Sequence, residues 1–213
     1  MHIREGCTNE PITSLAIGVT GHRSDRLTAA ALAAIRERVR HVFSAIVEAT
    51  SAHLTIVSSL ADGADQLVAE EAIAAGHGLY CPLPFNVDDF DHEFGNVDDL
   101  SRFHALVSRA DCVWALGGSR ESAQTRDSAY VAAGTEMLAR SDMLLAIWDG
   151  EHARGTGGTA EVVAGARSSG KAVIWISAHP PHRIEIVDAR QTLGTRIVEA
   201  LSDSKKCSIG HRA

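Results

Sequence analysis

One feature constrains this chain more than any other. An alternation repeats six times: a short apolar run, a turn of small residues, then a segment with helical spacing. The runs are Leu15–Val19, Leu54–Val57, Leu79–Pro84, Cys112–Leu116, Met143–Trp148 and Ala172–Ile176. Between the first two, Leu32, Ile35, Val39, Val42 and Ile46 recur every three or four positions, with Arg36, Glu37, Arg38 and Arg40 interleaved. That spacing places one buried stripe on a helix. It also predicts helices over Ala64–Ala75, Ser101–Ala110, Ser128–Arg140 and from the glycine-rich loop at 154–159 to about Ser169, with Gly76, Gly78 and Gly170 as stops. Runs that are apolar throughout, separated by about thirty residues, are strands covered on both faces and joined by helical crossovers.

The chain is therefore expected to be α/β: a three-layer, doubly wound, Rossmann-like fold around a mainly parallel central sheet. An eight-stranded barrel needs more repeats than these. A single domain over 1–213 is expected, with a core at about 15–178 and a C-terminal extension at 179–213. The extension holds a β-like run, Ile184–Val187, a helical pattern over Thr192–Leu201 and a frayed end. The acid-rich stretch 86–101 reads as a solvated loop or short helix, and Ser119–Arg126 as a polar insertion.

Composition narrows the function classes. Hydrophobic residues make up 45% and charged residues 22%, which excludes a disordered or collagen-like chain. No apolar run approaches the roughly 20 residues of a membrane helix. No apolar core follows the N-terminal charges as in a signal peptide. The chain reads as soluble and cytoplasmic, without a membrane partner. Cys7, Cys81, Cys112 and Cys207 are scattered, and no CxxC occurs. Cys81 and Cys112 lie in apolar runs and read as core. No HExxH, P-loop or GxSxG motif is present, so a metal, a Walker-type nucleotide site and a serine nucleophile lack support. With 20 basic against 27 acidic residues the net charge is 20 − 27 = −7. That argues against a polymeric nucleic-acid partner. It leaves room for one small anion held by backbone N–H groups. The alanine-rich helices permit a homo-oligomer without fixing one.

In an open parallel sheet, ligands bind beyond the carboxyl ends of the strands, where the strand order reverses. The loops there are Thr20-Gly21-His22-Arg23, the Ser58–Asp65 segment, Pro84-Phe85, Gly117-Gly118, Asp149-Gly150 and Arg154-Gly155-Thr156-Gly157-Gly158-Thr159. The last is the best phosphate candidate. Its glycines let N–H groups approach an anion, Thr159 can cap the helix, and Arg154 adds a cation. The plain alternative is a glycine loop of turn geometry. His22 and Arg23 offer a cation or form a surface turn. In the second segment, Ser58, Ser59 and Gly63 supply small residues; one of Asp62 and Asp65 is expected to N-cap the helix and the other to reach a ribose hydroxyl. Glu161 is either a dipole-favoured acid of the first turn or a nucleophile or general base. Asp149 is either a functional carboxylate or part of an Asp-Gly turn. Tyr130 and Trp148 offer rings for stacking on a base, with the core as the other place for Trp148.

These segments carry a resemblance. Gly18–Arg23, Ser58–Asp65, Leu83-Pro84-Phe85, Ala133-Gly134, Ala146–Gly150 and Arg154–Thr159 look like a group of bacterial proteins similar to the SLOG superfamily of Rossmann-like domains. That superfamily includes the Lonely Guy phosphoribohydrolases and the DNA-processing protein DprA. The resemblance covers roughly residues 15–178. It implies a nucleotide or nucleotide-derived ligand at the glycine-rich loop, bound as by a sensor, with no cofactor required. The phosphate would lie on Thr20–Arg23 and Gly155–Thr159, and the base or ribose near Ser58–Asp65 and Pro84. The alternative it implies is an N-glycosidic hydrolase or transferase acting on a nucleoside monophosphate. Lonely Guy enzymes use a PGGxGTxxE motif with a catalytic glutamate. The similar stretch here, Gly157-Gly158-Thr159-Ala160-Glu161, is shorter and lacks the proline. Nucleoside deoxyribosyltransferases resemble the same stretch, and Asp149 and Glu161 would match their strand-end aspartate and nucleophile.

Overall fold

A computed structural model describes residues 14–151, 158–187 and Ile197. Arg154, Gly155, Thr156 and Gly157 lie outside the described residues, as do Cys7, Cys207 and the tail pattern apart from Ile197.

Among the described residues seven strands form one sheet: β1 (Leu15–Gly21), β2 (Leu54–Val57), β3 (Gly78–Leu83), β4 (Cys112–Ala115), β5 (Met143–Trp148), β6 (Ala172–Ser177) and β7 (Ile184–Val187). Their order is β4-β3-β2-β1-β5-β6-β7. All neighbours are parallel except β7, which runs antiparallel to β6. Among the described residues the connecting α-helices are α1 (Ala29–Thr50), α2 (Ala64–Ala74), the short α3 (Val87–Phe90), α4 (Val97–Arg109), α5 (Ala123–Ala139) and α6 (Thr159–Ser168). This is the mainly parallel α/β sheet that the alternation predicts.

Side-chain alternation on the strands explains the layers. Ile17, Val19, Leu145 and Ile147 turn to one face, where Ile35, Val39 and Val42 of α1, Leu67 and Val68 of α2 and Phe103 of α4 complete the larger cluster. Ala16, Leu144 and Ala146 turn to the other, against Met137 of α5 and Val163 and Ala166 of α6. Cys81 and Cys112 are buried, as the apolar runs around them indicate. Among the described residues no helix is long and apolar enough to cross a membrane.

Two helices begin earlier than their apolar spacing indicates, because capping set their starts. Asn96 accepts a hydrogen bond from the Asp99 N–H, and Asp98 and Asp99 occupy the positive first turn of α4. Of the two readings of the acid-rich stretch, the short helix holds for about half of it, through α3 and the start of α4. Likewise Ser122 and Thr125 form a reciprocal capping box, which starts α5 at Ala123 inside the polar insertion.

Candidate functional site

The strand order reverses at β1. Its neighbour on one side is β2 and on the other β5. At the carboxyl ends of β1 and β5 lies a cleft of about 530 Å³. Thr20, Gly21 and His22 reach it from β1, and Trp148 from β5. Ser59 and Ala61 come from the β2–α2 turn, Asp65 from the first turn of α2, and Gly158, Thr159 and Ala160 from the start of α6. Arg126, Tyr130, Ala133, Gly134 and Met137 present one face of α5. Gly63 fixes the β2–α2 turn against β1. Its φ is +88°, and a Cβ there would stand 2.5 Å from the His22 carbonyl oxygen. That carbonyl also accepts the Ala64 N–H at 3.0 Å. Only glycine combines this backbone with so close an approach.

Arg23 is held from two sides. It donates to Asp62 at 2.7 Å and to the Tyr130 hydroxyl at 3.0 Å. The Asp62 carboxylate also accepts from Ser24, through its N–H at 3.0 Å and its hydroxyl at 2.6 Å. Tyr130 in turn donates to Glu93 at 2.7 Å, and Arg120 donates to the same carboxylate at 2.7 Å. Arg23, Tyr130 and Glu93 all line the cleft. Burial, only partly opposed by Arg23, pushes the Tyr130 phenol up to about 12, so it remains a donor. Burial raises the Glu93 carboxyl, but Tyr130 and Arg120 outweigh it and hold the group below the usual range.

His22 and Asp149 form a second buried unit. The ring Nε2 lies 3.1 Å from the Asp149 carboxylate and 3.2 Å from the Asp149 N–H. Arg26 donates to the same carboxylate, and the Glu151 N–H caps it at 3.0 Å. Burial lowers the His22 pKa more than Asp149 raises it, so the ring is neutral at pH 7. Burial also opposes ionisation of Asp149. The Glu151 N–H, His22 and Arg26 overcome it and leave the carboxyl below its ordinary value.

Asp65 is different. It is 7% exposed, and the hydroxyl of Ser58 reaches its carboxylate at 3.3 Å. Burial pushes its carboxyl up to about 7, against the weaker pull of Ser58 and Arg23.

The structure therefore brings Thr20, Gly21, His22, Arg23, Ser59, Asp65, Gly158 and Thr159 together around one cleft. Ser58, Asp62, Gly63, Pro84, Asp149 and Glu161 are not among the residues that line it. Ser58 is buried beneath Asp65, and the Pro84 carbonyl accepts the Gly118 N–H at 2.9 Å in a neighbouring corner. Neither Asp62 nor Asp65 N-caps α2; Gly63 holds that position, and no side chain caps it. Gly158, not Thr159, is the N-cap of α6. Glu161 lies in the exposed first turn. Arg26, Glu93, Arg126 and Met137 join the cleft without having been singled out in the sequence. Arg126, Tyr130, Ala133 and Met137 do recur at four, three and four residues, so the capping box at Ser122 was the signal that would have extended the helix to include Arg126. Glu93 had no such signal. Among the described residues no group of three or more His, Cys, Asp or Glu side chains is placed to hold a metal ion.

No protein-family model matches the sequence, and no curated protein matches it. Solved structures do match the fold. DNA processing protein A (DprA) from Streptococcus pneumoniae aligns at 15% identity over 89% of this chain, with a TM-score of 0.55; the alignment spans 56% of that protein, little more than half its length. DprA from Helicobacter pylori aligns at 16% identity over 90% of this chain and 73% of that one, with a TM-score of 0.52. TM1055, a structural-genomics target, aligns at 18% identity over 75% of this chain and 72% of that one, at a TM-score of 0.46. The chain shares the fold of DprA.

One expectation is corrected by this finding. The H. pylori structure is described for its single-stranded DNA binding mode. A net charge of −7 therefore does not exclude a polymeric nucleic-acid partner for a protein of this fold. Net charge sums the whole surface, whereas a ligand meets the local field of a cleft, and Arg23, Arg26 and Arg126 all line this one.

Proposed function

We propose that the cleft binds a nucleotide, as a member of the SLOG group does, with the phosphate at the start of α6 beside Arg126. The observation that carries this reading is the convergence in one cleft of a helix N-terminus, cations and an aromatic side chain at the reversal of strand order. The first N–H groups of a helix have no acceptor within it and favour an anion. Arg126 is exposed at the cleft and makes no ion pair among the described residues. Tyr130 and Trp148 give the remaining volume apolar walls suited to a base. The shared fold with DprA and the Gly18–Arg23 and Ser58–Asp65 segments support the family.

Binding is favoured over glycosidic cleavage by Asp149 and Glu161. The first is engaged by His22 and Arg26, and neither lines the cleft.

A thermal-shift panel tests the reading: nucleoside monophosphates, NAD, cyclic nucleotides, ribose 5-phosphate and a short single-stranded DNA. A ligand at a hundredfold over its Kd should raise Tm by roughly 5–10 °C. Arg126→Glu should remove most of that shift. No shift with any compound at millimolar concentration overturns the reading. A shift with the DNA strand alone overturns the free nucleotide as ligand.

A further inference from the structure

The β2–α2 turn carries Asp62 and the first turn of α2 carries Asp65, and their surroundings separate the two acids. Asp62 has Arg23 on one oxygen and Ser24 on the other, and it does not line the cleft. Asp65 does line it. More than nine-tenths of this residue is buried, yet no cation lies within ion-pair distance of it among the described residues. Its partners are the Ala61 backbone N–H and the Ser58 hydroxyl, the latter at 3.3 Å, beyond the distance of a strong O–H···O bond, which leaves acceptor capacity on a carboxylate that faces the cleft.

Its neighbour Ser59 donates its own hydroxyl hydrogen to the Pro82 carbonyl at 2.8 Å. That leaves the Ser59 oxygen as an acceptor. This corner of the cleft therefore presents acceptors, a carboxylate and a hydroxyl oxygen, to whatever enters. A phosphate is repelled there. A group that brings several O–H donors is matched, and two adjacent hydroxyls can share one carboxylate.

We propose that the ligand is a ribonucleotide with both ribose hydroxyls free, and that Asp65, with Ser59 beside it, accepts them. The inference rests on the nucleotide reading above and goes on to name the sugar. A 2′-deoxy or 3′-deoxy ligand leaves part of a buried carboxylate without a partner, so the cleft discriminates against it. The groups that face Asp65 electrostatically are Arg23 and Asp62, with the Cys81 thiol behind it. Because burial holds the carboxyl near neutrality, its preference for O–H donors sharpens as it ionises above pH 7.

The test is calorimetric titration at pH 8. It uses the nucleoside monophosphate with the largest thermal shift and its 2′-deoxy and 3′-deoxy counterparts. The wild-type chain should bind the ribonucleotide roughly tenfold or more tightly than either deoxy form. Asp65→Asn should weaken the ribonucleotide until the three agree within about twofold, with the deoxy forms unchanged. Ser59→Ala should narrow the preference less, and it keeps the test decisive if the first variant folds poorly. Equal wild-type affinities, or a preference that survives both substitutions, overturn the inference while the nucleotide reading stands. No binding by any of the three overturns both.

Discussion

Asp65 lies in the first turn of α2, which follows β2, and Asp149 directly follows β5; both carboxylates are buried. Their electrostatics are opposite. Asp149 accepts from Arg26 and the Glu151 N–H, with the His22 ring packed against it, and its carboxyl is held ionised below the ordinary range. Asp65 has only the Ser58 hydroxyl and the Ala61 N–H and no ion pair among the described residues, and burial carries it up to about 7. Burial does not separate a structural carboxylate from one available to a ligand. The number of donors already facing it does.

The largest effect should come from Gly63, which clamps the turn leading to Asp65 onto the His22 carbonyl. Gly63→Ala should cost roughly 3 kcal/mol or more, since both the positive φ and the 2.5 Å approach oppose a side chain. A drop of less than a degree in Tm would show that the clamp is loose.

Asp65→Asn should act with a defined pH sign. At about pH 3 and below, Asp65 is largely protonated in both states and the substitution should be close to neutral. As pH rises, the unfolded carboxyl ionises first while the folded one keeps its proton, so wild-type stability falls through pH 7. The variant should thus be more stable by roughly 4 kcal/mol at pH 8, read from urea melts at pH 3 and pH 8. Asp149→Ala should do the reverse. Its folded carboxyl is lowered, so wild type gains stability above the ordinary carboxyl pKa and loses it as pH falls. The loss at pH 7 should be about 2 kcal/mol, shrinking in acid. Identical pH profiles for the two variants would break the comparison.

Tyr130→Phe leaves Arg23 and Glu93 one partner short each, at about 1 kcal/mol. Glu161→Gln should be smallest, with ligand affinity unchanged within about twofold by calorimetry, as its exposed place outside the cleft requires.

Most of the architecture was legible because period and burial are local signals. The apolar run Met143–Trp148 could only be a strand buried on both faces. Loop placement was legible in the same way: Thr20–Arg23 and Ser59 arrive at the cleft because strands end there. Which acid faces a ligand was not legible. That depends on Arg23 reaching across to Asp62 and Arg26 to Asp149, contacts 39 and 123 residues apart. The contribution of α5 was half legible. The capping box stands in the sequence at Ser122 and Thr125, but nothing there says that its face meets β1 rather than solvent.

The most direct measurement is a titration of a nucleoside monophosphate into the ¹⁵N-labelled chain, followed by amide shifts. Binding in the cleft predicts changes concentrated at Thr20–Arg23, Ser59–Asp65, Tyr130 and Gly158–Ala160, saturating together at one site. Changes confined to residues outside the cleft, such as the groove near Phe43 and His77, would contradict the account, as would none at millimolar ligand.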